Sequence, residues 1–181
     1  GDIESDYFRE LIVRWFQFGL FCPVMRLHGA RKRTKEQGPR PAGVKEPTGG
    51  PNEIWSFGDR AYTVLRRLIG IRERLRPYIH KYMDIASQTG APLMRPMFFE
   101  YPGDEVCYTL DDQYMFGADI LFAPIVNQGQ TERTVYLPDG EWINVNDRQV
   151  YQGGKFVTAH AELEQFIAFV KKGSEWLAVF E

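Results

Sequence analysis

The chain has 181 residues, 44% of them hydrophobic and 25% charged, with a formal net charge of -2; this is the profile of a globular protein of one domain or two small ones. That charge excludes a general nucleic-acid binder, which carries a clear basic excess, and no apolar run approaches the roughly 18 residues of a membrane span. Cys22 and Cys107 are too few for a disulfide framework and match no zinc spacing, so both are expected as buried free thiols.

The chain opens on Gly1-Asp2 rather than a methionine, so its natural N-terminus is expected further upstream and no compartment is assigned. Residues 6–20, DYFRELIVRWFQFGL, place Phe8, Leu11, Ile12, Trp15 and Phe16 at the spacing of one helical face. Ser5 or Asp6 can cap the first turn. Pro23 stops the helix because it lacks an amide donor, and PVMRLH is read as a short buried strand, giving a helix-then-strand unit of the β/α kind. Residues 29–54 hold Pro39, Pro41, Pro47 and Pro51 with five glycines, which makes them a loop. Its basic run Arg31-Lys32-Arg33-Thr34-Lys35 is read as solvated.

A long helical stretch follows from Gly58 to Gly90, with Tyr62, Leu65, Leu68, Ile69, Leu75, Ile79, Tyr82 and Met83 on its apolar face. Gly70 and Pro77 are expected to split or kink it, and Gly90 with Pro92 to end it. Beyond Ala91 come short extended runs: LMRPMFFEYP, ADILFAPIV, RTVYLP, EWINVN, KFVTAH, FIAFVKKG and EWLAVF. Turn residues such as Pro138-Asp139-Gly140, Asn146-Asp147 and Gly153-Gly154 separate them. Strands so closely spaced predict an antiparallel sandwich or small barrel. The boundary between the helical part, 1–90, and the all-β part, 91–181, falls at Gly90.

Three ordered blocks resemble glycoside hydrolase family 31, the retaining α-glycosidases. They are FRELIVRWFQFGLFCPVMRLHG, IGIRERLRPYIHKYMDIASQTGAPLMRPMFFEYPGD, and DQYMFGADILFAPIV with RTVYLPDGEWIN. The resemblance implies the C-terminal segment of a (β/α)8 barrel, its last strand and helices in residues 1–90, followed by an antiparallel β-sandwich in 91–181. Active sites of such barrels lie at the C-terminal ends of the strands. Retaining glycosidases need two carboxylates about 5 to 5.5 Å apart. The family's catalytic aspartates and its Asp-Ile-Gly-Gly-Phe-like motif have no counterpart here, since Asp2-Ile3 is followed by Glu4-Ser5. The chain is therefore expected to be the C-terminal portion of an enzyme, inactive alone, with the missing N-terminal part of the same polypeptide as its partner and an α-linked oligosaccharide as substrate. No catalytic residue, metal or cofactor is assigned.

His28 matches the family histidine that hydrogen-bonds the sugar at the cleaved subsite, a task suited to imidazole because it both donates and accepts. Arg26 alternates with His28 along the expected strand. An inward guanidinium needs a carboxylate partner, so Arg26 is read as supporting the site. Trp55 and Phe57 follow in NEIWSFGD; a flat aromatic there can stack on a sugar or anchor the loop, and both readings stand. Glu53 is expected to pair with a basic loop residue, and Asp111, Asp112 and Asp119 to serve turns and caps. His80 and His160 receive no role. RLHG resembles the α-xylosidase members more than the α-glucosidases, whose version more often reads Arg-x-His followed by Ser, Asn or Ala. Ile167-Ala168 departs from the family's usual Ile-Pro.

The alternative is a non-catalytic carbohydrate-binding or scaffold module built on the sandwich. A barrel segment cut from its ring leaves an apolar face open, and monomers rarely expose more than a few hundred Å² of contiguous apolar surface. Self-association of the isolated chain, or loose order before Gly90, is expected on that ground.

Overall fold

The computed structural model describes residues 2–28, 38–39, 42–43 and 52–181; the basic run at 31–35 lies outside them. Helix α1, Asp6–Leu20, is capped by Ser5, whose Oγ accepts from the Phe8 amide at 3.4 Å. The helical stretch beyond the loop is two helices, α2 (Asp59–Arg74) and α3 (Arg76–Thr89). Their break is at Leu75. Gly70 stays inside α2, and Pro77 sits in the first turn of α3, where its missing amide costs no helical bond. Gly90 ends α3 in the left-handed region (φ 78°), its amide returning to the Ala86 carbonyl at 2.9 Å.

Eight strands follow: β1 (Met94–Pro96), then a short helix α4 (Met97–Glu100), β2 (Tyr114–Phe116), β3 (Ile120–Phe122), β4 (Glu132–Leu137), β5 (Glu141–Asn144), β6 (Val150–Gln152), β7 (Lys155–His160) and β8 (Ala168–Lys171). Six of them form an antiparallel sheet in the order β1-β2-β3-β8-β5-β6, and β4 pairs with β7 as a separate ribbon. Successive side chains of a strand point to opposite faces, and both faces of the larger sheet are covered. Phe116, Ile120, Phe122, Ala168 and Val170 face α1, α2 and α3, joining Val13, Leu20, Leu65, Leu68 and Tyr78 in one apolar cluster. Met115, Leu121 and Phe169 face the other way, toward Val135 and Leu137 of β4 and Ala159 of β7. The sheet thus lies between a helical layer and the ribbon, and the first cluster runs across Gly90.

Several expectations are corrected here. No strand forms in Pro23–His28; those residues have no regular structure, and Arg26, Leu27 and His28 are exposed. A strand exists through its partners, and among the described residues none pairs with this segment. On α1 the buried residues are Val13, Arg14, Phe16, Gln17 and Leu20, while Leu11 and Trp15 point outward. EWLAVF is a 3₁₀ helix, Glu175–Phe180, rather than a strand, because Ser174 caps it through the Trp176 amide and Trp176, Leu177, Val179 and Phe180 pack on the helix-side cluster. Cys107 is buried, but Cys22 is only partly so.

Candidate functional site

The approach to His28 is built at the C-terminal end of α1. The last carbonyls of a helix have no partner within it, and here side chains from two other elements take them up. Arg72 of α2 donates through Nη1 to the carbonyls of Leu20 (2.7 Å) and Cys22 (2.6 Å), and through Nη2 to that of Pro23 (2.9 Å). Tyr114 of β2 donates its hydroxyl to the Phe21 carbonyl at 2.8 Å. Four successive carbonyls, Leu20 to Pro23, are held in this way. Burial pulls the Arg72 guanidinium below its ordinary pKa and pushes the Tyr114 phenol above its own; a guanidinium keeps its charge regardless. Met25 then turns inward against Gly19, and the chain continues to Arg26 and His28 in solvent.

One turn earlier on α1, the fork of Arg14 donates to the carbonyls of Gln130, Ala161, Glu162 and Gln165 and to the Gln17 side chain at 3.1–3.4 Å. Gln17 donates to the carbonyls of Leu163 and Gln165 at 2.7 and 2.9 Å. Five donors in a rigid fork allow one buried arginine to satisfy several carbonyls of an irregular segment. Burial lowers the Arg14 pKa, opposed by the fields of Glu10, Glu162 and Glu164. These bonds fix α1 to the loop preceding β8 and, through Gln130, to the segment preceding β4.

The aromatic pair divides. Trp55 and Phe57 share a 3₁₀ turn, Ile54–Phe57; Trp55 is 67% exposed, whereas Phe57 is fully buried with its ring 6.2 Å from that of Phe8. Glu53, at the start of that turn, accepts from the Asn52 amide at 3.0 Å and from Ser56 Oγ at 3.1 Å. Among the described residues no carboxylate forms an ion pair with Arg26, and no group of His, Cys, Asp and Glu could hold a metal. Most of the link between His28 and Asn52 lies outside those residues.

Of the three aspartates, two make tertiary contacts rather than turn bonds. Asp112 pairs with the buried Arg133. Asp119 accepts from Tyr82 Oη at 3.1 Å and lies 3.5 Å from Tyr78 Oη, joining α3 to the β2–β3 turn. Asp111 and Asp112 line a cleft of about 760 Å³ with Phe18, Tyr114, Asn127 and Gln130. None of His28, Arg26, Trp55 and Phe57 lines it.

Sequence reasoning passed over Arg14, Gln17, Arg72 and Tyr114. The signal available for Arg72 was its place beside the apolar face of α2, four residues from Leu68 and three from Leu75; for Arg14 and Gln17 it was a polar pair interrupting the apolar run Leu11–Leu20.

Two family models match in tandem: the glycosyl hydrolases family 31 TIM-barrel domain over residues 4–82 and the glycosyl hydrolase family 31 C-terminal domain over residues 90–174. The chain is 35% identical over 165 residues to alpha-glucosidase 2 of Bacillus thermoamyloliquefaciens, covering 91% of this chain and 19% of that protein. It is 34% identical over 174 residues to a sulfoquinovosidase of Escherichia coli, covering 95% and 23%. An α-xylosidase from a soil metagenome, solved in complex with xylose, superposes on 100% of this chain and 27% of its own length, with a TM-score of 0.90 and 42% identity. The chain thus spans about a fifth to a quarter of the length of these three relatives.

Proposed function

Because this chain belongs to glycoside hydrolase family 31, and comprises the end of that family's barrel domain followed by its C-terminal β-sandwich, we propose that it is the C-terminal portion of a retaining α-glycosidase, an α-xylosidase in particular. The division is taken at Gly90, with residues 1–90 completing the catalytic barrel and 91–181 supporting it. In this reading the catalytic carboxylates come from elsewhere in the same polypeptide, and the 181-residue chain alone is inactive. His28 hydrogen-bonds the sugar, Arg26 meets a carboxylate of the completed barrel, and Trp55 lines the cleft on a turn anchored by the buried Phe57.

The observation that carries this reading is the superposition of the entire chain on one α-xylosidase at 42% identity. The solvent-facing state of Val24, Arg26, Leu27 and His28 and of Leu11 and Trp15 supports it, because a barrel segment has neighbours on both sides. The same uncovered residues support self-association of the isolated chain; light scattering that returns a monomer would remove that part of the proposal.

The test is activity of the full polypeptide on aryl α-xyloside and aryl α-glucoside in parallel, with the 181-residue chain alone as control. The expected result is preference for the xyloside and no turnover by the control. Faster hydrolysis of the glucoside would overturn the xylosidase assignment, and turnover by the control would overturn the need for outside carboxylates. His28→Ala in the full polypeptide should lower kcat/KM by about 1 to 3 kcal/mol with little change in Tm. Loss of folding to the same degree would make His28 structural.

A further inference from the structure

We infer that Arg72 is a positioning residue for His28. It does not touch the sugar; it sets the direction in which the chain leaves α1 and so where the imidazole stands. This inference rests on the reading of His28 as a sugar contact.

The geometry carries it. Between Leu20, where α1 ends, and His28 lie seven residues without regular structure. An irregular segment has many directions open to it, and fixing one requires bonds to its backbone. The Arg72 guanidinium supplies three, to the carbonyls of Leu20, Cys22 and Pro23. All come from one planar group, so the three oxygens are held in a common frame. The Arg72 Cα is in turn fixed, because its neighbours Leu68, Ile71 and Leu75 are buried in the helix-side core. Tyr114 holds the intervening Phe21 carbonyl from the sandwich, also from a half-buried position. Two residues beyond Pro23, the Met25 side chain packs on the helix-side cluster beside Gly19. The direction imposed at Pro23 and kept by the seated Met25 is handed on to His28, three residues further. Catalytic contacts are sensitive to displacements of about 1 Å, which can change rates on the order of a hundredfold.

A lysine at this position keeps the charge but presents a single nitrogen, and glutamine keeps one polar donor without charge. Neither reproduces the fork.

The experiment is a double-mutant cycle in the full polypeptide, with Arg72→Gln, His28→Ala and the pair, each measured for kcat, KM and Tm. If Arg72 acts through His28, Arg72→Gln lowers kcat/KM by about tenfold in the wild-type background and by less than about twofold once His28 is alanine. Added guanidinium ion should partly restore an Arg72→Ala enzyme and leave the double variant unchanged. An equal loss in both backgrounds, or no loss in either, overturns the inference while leaving the reading of His28 intact. An unchanged His28→Ala enzyme overturns that reading and this inference together. Should Arg72→Gln fail to fold, Arg72→Lys takes its place in the same cycle, with the same two outcomes deciding.

Discussion

From β1 to β8 the chain supplies both sides of each ladder it forms, and the central strand β8 is bonded to β3 on one edge and β5 on the other. Residues 23–28 pair with no strand among the described residues. They alternate apolar Val24, Met25 and Leu27 with Arg26 and His28, yet β3 is buried along its whole length and Val24 is 78% exposed. Strand propensity measures fit to a pleated, half-buried surface more than an intrinsic backbone preference. The two segments differ in their neighbours as well as in their local chemistry. The helical layer is intermediate: its helices satisfy their own backbones, but α1 is apolar on two sides and the sheet covers only one.

If the larger sheet carries the helices, damage at its centre should unfold both parts together. Phe169 on β8 is fully buried, edge-on to Tyr151 at 5.4 Å. Phe169→Ala should cost about 3 to 5 kcal/mol, and far-UV and near-UV circular dichroism should lose signal in one transition. Two separate transitions would show that the helical layer stands without the sheet.

A smaller effect is expected at the seam between the layers. Gly117 has φ 63°, donates its amide to the Leu93 carbonyl at 2.7 Å, and lies under the Tyr78 and Tyr82 rings. A methyl group at Gly117 would stand 2.2 Å from Tyr78 Oη and 2.6 Å from a Tyr82 ring carbon. Those phenols must then move, and their bonds to the Phe116 carbonyl and Asp119 go with them. Gly117→Ala should cost about 2 to 3 kcal/mol from strain and lost bonds combined. Hydrogen exchange should show amides of α3 losing protection while those of β8 keep theirs. Equal loss in both would place the damage in the sheet itself.

The contrast between the two parts also explains which features were legible in the sequence. Ser5, Pro77 and Gly90 act on their immediate neighbours, so the limits of α1 and α3 could be read from local chemistry. Turn residues such as Pro138-Asp139-Gly140 separated β4 from β5 for the same reason. Arg14 could not be read as an inward residue, because the carbonyls it serves lie 116 to 151 positions away in irregular backbone that has no pattern of its own. Val150–Gln152 escaped notice because three residues at a sheet edge carry almost no periodicity. The final hexapeptide EWLAVF has aromatic and branched residues suited to a strand, yet Ser174 starts a helical turn and the helix-side core accepts its apolar groups equally well. For the candidate site, the motif around His28 was legible only by resemblance. The carbonyl cradle behind it depends on how α2 and β2 pack against the end of α1, which no local signal encodes.

The smallest effect on the chain as it stands is also the most informative about its uncovered side. Trp15 is 66% exposed on α1, in line with Tyr7, Leu11 and Phe18 at successive turns. A helix apolar on two sides normally has both of them covered. In the 181-residue chain Trp15→Ala removes few contacts, and its stability should change by no more than about 0.5 kcal/mol. In the full polypeptide, where the rest of the barrel is proposed to lie against this face, the same substitution should cost about 3 kcal/mol, the range of a buried aromatic. The difference between the two measurements, each by denaturant titration, reports whether α1 is covered on its second side. Equal small values in both would mean that Trp15 faces solvent in the complete enzyme, and the two apolar sides of α1 would then need another explanation than a closed barrel.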